Sequence, residues 1–193
     1  MKLIIASNNK HKIREIKQIL SDRFDEILSL SEAGVDHETV EDGDTFLDNA
    51  LKKAREISAL TGCAVLADDS GLCVKALNGE PGVYSARYAG GRVEHTADAD
   101  NNAYLLSRLA PYTDRTAYFA CCMVLIYPDG TIVTAEGYMN GRIIDAPRGE
   151  CGFGYDPLFV PDGESRTVAE MTDGEKNAIS HRANALKNLL SKL

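Results

Sequence analysis

Tryptophan, C-x-x-C pairs and long apolar runs are all missing from this chain. Its longest apolar stretches, Leu3–Ala6 and Ala120–Tyr127, are far too short to span a bilayer, so no membrane partner is expected. The residues after Met1-Lys2 are β-like and carry neither the apolar core nor the cleavage site of a secretory signal, which points to a cytoplasmic protein. Cys63, Cys73, Cys121, Cys122 and Cys151 are odd in number and irregular in spacing. Disulfide frameworks and zinc knuckles need regular pairs, so free, mostly buried thiols are expected. Adjacent Cys121 and Cys122 on a strand would point to opposite faces and could not share a metal. Positive charge is short as well: 21 Lys and Arg against 29 Asp and Glu leave a net charge of −8. Affinity for nucleic acid comes from neutralising phosphates, so no nucleic-acid partner is expected. A polyphosphate ligand would have to be met by a local basic cluster or by a metal ion.

What is present suits an ordinary globular protein. The 193 residues, 44% hydrophobic and 26% charged, fit a single domain over 1–193, one unit with two lobes sharing a core. The order of elements reads as α/β. Lys2–Ala6 is a short buried strand, and Ile13, Ile16, Ile19 and Leu20 mark a helix over Lys10–Leu20. A strand near Ile27–Leu30 and an acidic segment, Glu32–Asp44, precede a helix entered at Thr45. That helix carries Phe46, Ala50, Ala54 and Ile57 on one stripe and closes at Gly62. Ala64–Ala67 is expected as a strand that ends at Asp68-Asp69-Ser70-Gly71, with Leu72–Leu77 extended beyond it. Residues 78–95 hold Pro81 and several glycines and read as an ordered functional loop. A helix over 97–109 stops before Pro111. Thr116–Tyr127 and Thr131–Met139 read as a hairpin turning at Pro128-Asp129-Gly130. Residues 145–165 form another loop, and Ala185, Leu186, Leu189, Leu190 and Leu193 predict a last amphipathic helix.

Four polar segments stand apart from this scaffold. Ser7-Asn8-Asn9-Lys10-His11-Lys12 lies where a strand gives way to a helix, and unpaired N–H groups at a helix start favour phosphate. It is no Walker A loop, since G-K-[ST] is absent; the plainer account is a capped helix with exposed lysines. Glu38, Glu41, Asp42 and Asp44 precede one helix, where the dipole alone would favour acids. Asp68-Asp69 after Ala-Val-Leu-Ala is harder to dismiss, because two adjacent acids repel unless a cation or donors compensate. Gly152-Phe153-Gly154-Tyr155-Asp156-Pro157 puts two aromatics around a glycine, a grip for a planar base or simply a turn with core rings. Glu175 to Arg182 packs Lys176, His181 and Arg182 into seven residues. One unbroken helix would splay Lys176 and His181 by roughly 140°, so convergence favours a break in which Ser180 caps the last helix.

Taken in order, these segments resemble the inosine triphosphate pyrophosphatase family, the non-canonical purine NTP pyrophosphatases or XTP/dITP diphosphatases. Asp68–Leu72, Pro81–Tyr88, Phe153–Pro157 and Ser180-His181-Arg182 carry the likeness, which covers nearly the whole chain. The resemblance implies an elongated mixed β-sheet flanked by helices, two lobes with a central nucleotide-binding cleft, and a homodimer. It implies hydrolysis of a nucleoside triphosphate to monophosphate and pyrophosphate. Ser7, Asn8, Asn9, Lys10, Lys12 and Lys53 would hold phosphates. Glu41 and Asp69 would place Mg²⁺ (or Mn²⁺), with Asp69 also the proton acceptor in catalysis. Phe153, Gly154 and Tyr155 would enclose the base, Lys176, His181 and Arg182 would read its edge, and Ser70 and Asp156 would complete the substrate shell. One departure is that the first motif commonly reads Thr-Gly-Asn, whereas Ser7-Asn8-Asn9 stands here; Asn8 would have to supply any positive φ.

The charge balance agrees with that chemistry. A substrate with about four negative charges would be repelled by an acidic protein unless a divalent ion and Lys10, Lys12 and Lys53 reversed the sign locally. Hypoxanthine and xanthine present a 6-oxo acceptor where adenine has a donor, so a pocket of donors rejects ATP. Two alternatives stand beside this reading: a Maf-like nucleotide pyrophosphatase, and a nucleotide-sensing module without turnover.

Overall fold

The computed structural model describes residues 2–20, 23–91 and 95–193. The expected loop over 78–95 therefore lies partly outside the described residues. Among the described residues, six strands and five α-helices follow in chain order: β1 Lys2–Ile5, α1 Lys10–Leu20, β2 Glu26–Ser29, α2 Phe46–Thr61, β3 Ala64–Val74, α3 Asp98–Leu109, β4 Thr116–Ile126, β5 Ile132–Ile143, β6 Phe159–Pro161, α4 Asp173–Ile179 and α5 His181–Leu190. The strand order is β2-β1-β3-β4-β5-β6. β1 runs parallel to β2 and β3, while β5 and β6 are antiparallel, so the sheet is mixed and the class is α/β. No described helix is long and apolar enough to cross a membrane.

The chain divides into two compact units. The first comprises Met1–Asp69, Cys121–Gly137 and Arg182–Leu193; the second comprises Ser70–Ala120 and Tyr138–His181. In the first unit, strand alternation sorts the core onto two faces. Leu3, Ile5, Ala64 and Leu66 pack with Ile16 and Leu20 of α1 and Ala185, Leu186 and Leu189 of α5. Ile4, Ala6, Val65 and Ala67 pack with Ala50, Ala54 and Ile57 of α2. In the second unit, Leu72 and Val74 of β3, Leu105 and Leu109 of α3, and Phe119, Met139 and Phe159 share one cluster.

Local chemistry explains the element ends. Thr45 caps α2 by accepting the Asp48 N–H at 3.1 Å, and Gly62 ends it in a left-handed conformation with φ 62°. Ser180 is extended between α4 and α5, so the expected helix break is present. Three expectations need correction. Asp68-Asp69-Ser70-Gly71 is no strand end, because β3 runs unbroken through it; β1 stops pairing at Leu66, and the acids continue past it. Leu72–Leu77 is extended only to Val74, after which Lys75–Leu77 forms a 3-10 turn. The loop over 145–165 contains β6, whose three residues are too few for a periodic signal.

Gly141 of β5 sits opposite Pro161 of β6, and a Cβ there would press on the Val160 carbonyl and lie 2.8 Å from Phe159 Cζ. Gly141→Ala is expected to cost about 1–3 kcal/mol by overpacking, lowering Tm by roughly 3–10 °C in thermal denaturation. An unchanged Tm would contradict this packing.

Candidate active site

Alternation along β3 decides what surrounds its two acids. Asp68 follows Ala64 and Leu66 onto the face covered by α1 and α5, and Asp69 follows Val65 and Ala67 toward α2. Asp68 is fully buried and accepts from Lys12 Nζ at 3.0 Å and from Arg182 Nε and Nη2 at 3.4 Å. The Arg182 guanidinium also bonds Glu15 through Nη1. Burial pushes the Asp68 carboxyl up, but Lys12 and Arg182 outweigh it and hold it well below the usual range. Lys12 and Arg182 are thus set against Asp68 and Glu15 in one largely buried group.

Asp69 has different company. Its Oδ2 accepts from Asn49 Nδ2 at 3.0 Å, and its Oδ1 lies 3.8 Å from Lys53 Nζ. Lys53 also reaches Glu41 Oε1 at 2.6 Å, so both carboxylates converge on one ammonium. Burial raises the Asp69 carboxyl; Lys53 and Lys12 oppose the rise, and Glu41 adds to it. Burial would lower the Lys53 ammonium, but Asp69 and Glu41 raise it. Asn49 and Lys53 stand four residues apart on the buried stripe of α2, where one turn of helix brings them to the same carboxylate.

The turn before α1 is held by its own side chains. Asn9 Oδ1 accepts the N–H groups of His11 and Lys12 at 3.0 and 3.2 Å, so Asn9 itself caps the helix and occupies two of its orphan donors. Ser7 Oγ accepts the Asn9 N–H at 3.2 Å. Among the described residues only Asn78 has a positive φ outside glycine, so the Asn8 position needs no left-handed backbone. Asn8 and Lys10 are exposed.

In the second unit, Phe153, Asp156 and Lys176 form one cluster. Lys176 Nζ donates to Asp156 Oδ2 at 2.8 Å and stands 4.5 Å from the Phe153 ring centroid, a cation–π contact. The Phe153 N–H donates to the same Asp156 oxygen at 3.0 Å. Gly152 is required there, because a Cβ would collide with Asp156. The His181 ring stacks on Phe119 with centroids 4.9 Å apart. Ser70 is partly exposed on β3.

The Tyr155 ring is 4% exposed and its hydroxyl donates to the Ser85 carbonyl. Arg182 bonds Asp68 and Glu15, and Lys176, His181 and Arg182 are all buried. Glu15, Asn49, Asp98 and Asn102 were not singled out from sequence. The signal for Glu15 and Asn49 is a polar residue beside an otherwise apolar helical stripe.

This chain has relatives throughout its length. The model of the Ham1 family matches residues 3–192. A dITP/XTP pyrophosphatase of Clostridium perfringens is 50% identical over all of this chain and 97% of that protein. One from Bacillus subtilis is 46% identical over 96% of this chain and 93% of its own length. Among solved structures, a Ham1 protein of Staphylococcus aureus superposes with a TM-score of 0.88 at 41% identity, covering 100% of this chain and 97% of the other. One from Coxiella burnetii gives 0.89 at 38% identity over the whole of both chains. The chain belongs to the Ham1 family.

Removing one partner from the buried set leaves uncompensated carboxylates. Arg182→Met is expected to cost about 3–5 kcal/mol in urea unfolding at neutral pH. Without Arg182 the folded-state Asp68 loses a cause of its depression, so its pKa rises. The penalty should then shrink as pH falls toward about 4, where the carboxylates protonate. A pH-independent loss would contradict the assignment.

Proposed function

We propose that the protein hydrolyses purine nucleoside triphosphates with a 6-oxo base, dITP, ITP and XTP, to the monophosphate and pyrophosphate in the cytoplasmic nucleotide pool. The observation that carries this reading is the convergence of Glu41 and Asp69 on a single cationic point. The donors there are carboxylate oxygens only, which suits a hard divalent ion such as Mg²⁺, or Mn²⁺ in its place. No group of three or more His, Cys, Asp or Glu side chains suited to a metal occurs among the described residues. Such ions need only one or two carboxylates when water and phosphate oxygens supply the rest. Glu41 and Asp69 would hold the ion, which when bound supplies charge neutralisation at the phosphates and a more acidic water.

The chain's own residues supply the remaining tasks. Lys53, already poised between two carboxylates, and Lys12, Lys10, Ser7, Asn8 and Asn9 would meet phosphate oxygens. Asp69 is buried and made more basic than an exposed aspartate, the direction an acceptor of the water's proton requires. Phe153, with Gly154 at its side, would offer a face to the purine, and Lys176 and His181 would donate to the 6-oxo edge. Asp156 orients Lys176, and Ser70 follows Asp69 on the same strand. Family membership favours this purine reading over a Maf-like one. The name dITP/XTP pyrophosphatase carried by relatives at 46–50% identity supports the same substrate class. A homodimer is part of the proposal, with the exposed Tyr118 and Tyr138 rings of β4 and β5, 6.0 Å apart, as apolar surface for it; sedimentation at micromolar concentration reads dimer if this holds and monomer if it does not.

Pyrophosphate release across dITP, ITP, XTP, GTP and ATP, with and without chelator, tests the central reading. Specificity constants for dITP and XTP are expected to exceed that for ATP by about a hundredfold or more. Chelator should abolish turnover, and Asp69→Asn should lower kcat by more than about tenfold. Equal constants for ATP and ITP would defeat the base reading. A nucleotide that raises Tm without releasing pyrophosphate would make the protein a sensor instead.

A further inference from the structure

Helix α3 does more than fill the core of the second unit. Its buried side, Leu105 and Leu109, packs in the apolar cluster, while its first turns present polar side chains to two loops. Asn101 takes Ala89 and Thr96, accepting the Ala89 N–H at 2.8 Å and the Thr96 hydroxyl at 2.7 Å. Asp98 and Asn102, one turn apart, take a single residue more than fifty positions later. Asp98 Oδ2 accepts the Gly154 N–H at 2.6 Å, and Asn102 Nδ2 donates to the Gly154 carbonyl at 3.0 Å. Both polar groups of one peptide residue are thus held by side chains of one helix.

Gly154 has φ 62°, so neither a strand nor a helix would pair its backbone in this conformation. Its two neighbours are the aromatics. Tyr155 is fixed independently through its hydroxyl on the Ser85 carbonyl, and Asp156 through Lys176. The Phe153 N–H is held by Asp156 and its ring lies against Lys176, and α3 adds a hold on the far side through the peptide between Phe153 and Gly154. Asn102 Oδ1 is buried with no hydrogen-bond partner among the described residues. That amide is kept for the one bond it donates, and an apolar residue there would avoid the cost of burying an idle acceptor.

We propose that Asp98 and Asn102 are positioning residues for the substrate base: a clamp on Gly154 that fixes the Phe153 ring against the purine. The inference rests on the reading of Phe153 as the base-facing ring, and the experiment separates the two.

Steady-state kinetics on dITP are measured for Asp98→Ala, Asn102→Ala, the double variant, and each in combination with Phe153→Ala, alongside thermal melting. Losing the clamp should raise KM for dITP by roughly tenfold in the double variant, with kcat within about twofold and the protein still folded. In the Phe153→Ala background the same changes should add nothing further to KM, because the ring they position is gone. Conservative substitutions sharpen the test. Asp98→Asn keeps an oxygen that accepts the Gly154 N–H and should retain near-parental KM. Asn102→Asp replaces the donor with a carboxylate facing a carbonyl and should behave like Asn102→Ala or worse. A role in helix-end electrostatics alone would reverse the first result, since Asp98→Asn removes the charge favoured at a helix start. If Phe153→Ala leaves KM unchanged, the base reading fails and takes this proposal with it. If Phe153→Ala raises KM while the double variant does not, or if the effects simply add, the clamp is overturned and the base reading stands.

Discussion

Two carboxylates on consecutive residues of a buried strand cannot share one environment. Asp68 and Asp69 are both nearly inaccessible, and the pleat sends them to opposite faces of β3. Each face must then bring its own cations. One face answers with Lys12 and Arg182, closed by Glu15, and the other with Lys53 and Asn49, shared with Glu41. Much of the first unit serves this requirement: α1 and α5 are placed to deliver the first set and α2 the second.

The two sets are not equivalent chemically. Around Asp68, Lys12 and Arg182 outweigh burial and pull the carboxyl far below its ordinary range. Around Asp69, Glu41 shares the Lys53 ammonium, Lys53 and Lys12 oppose the effect of burial, and burial still pushes the carboxyl up. Two carboxylates converging on one point suit a divalent ion. The same strand therefore carries two acids in opposite electrostatic settings, separated by a single peptide.

Much of this was legible before any coordinates. Helices over 10–20, 46–61 and 98–109 show apolar stripes because each buries one face against the sheet. The break at Ser180 followed from the need to bring Lys176 and His181 together. The acids of β3 misled because charge in an apolar run resembles a strand end. Their compensation comes from residues 12, 15, 49, 53 and 182, and no local pattern announces it. Asn9 as a cap was hidden by its second reading as part of a phosphate turn, since an Asn at that position serves either purpose. The pairing of Arg182 with the carboxylates of β3 and α1 joins residues too far apart in the chain for its segment to announce it. The hold of α3 on Gly154 spans too many residues for periodicity to reveal.

The claim at the centre is that Asp69 and Glu41, and not Asp68, are the acids that engage a metal. Anomalous scattering from Mn²⁺ in crystals grown with a non-hydrolysable dITP analogue addresses it directly. The account predicts one peak at about 2.1 Å from carboxylate oxygens of Glu41 and Asp69, with Asp68 still bound to Arg182. A peak coordinated by Asp68, or one remote from both Glu41 and Asp69, would contradict it.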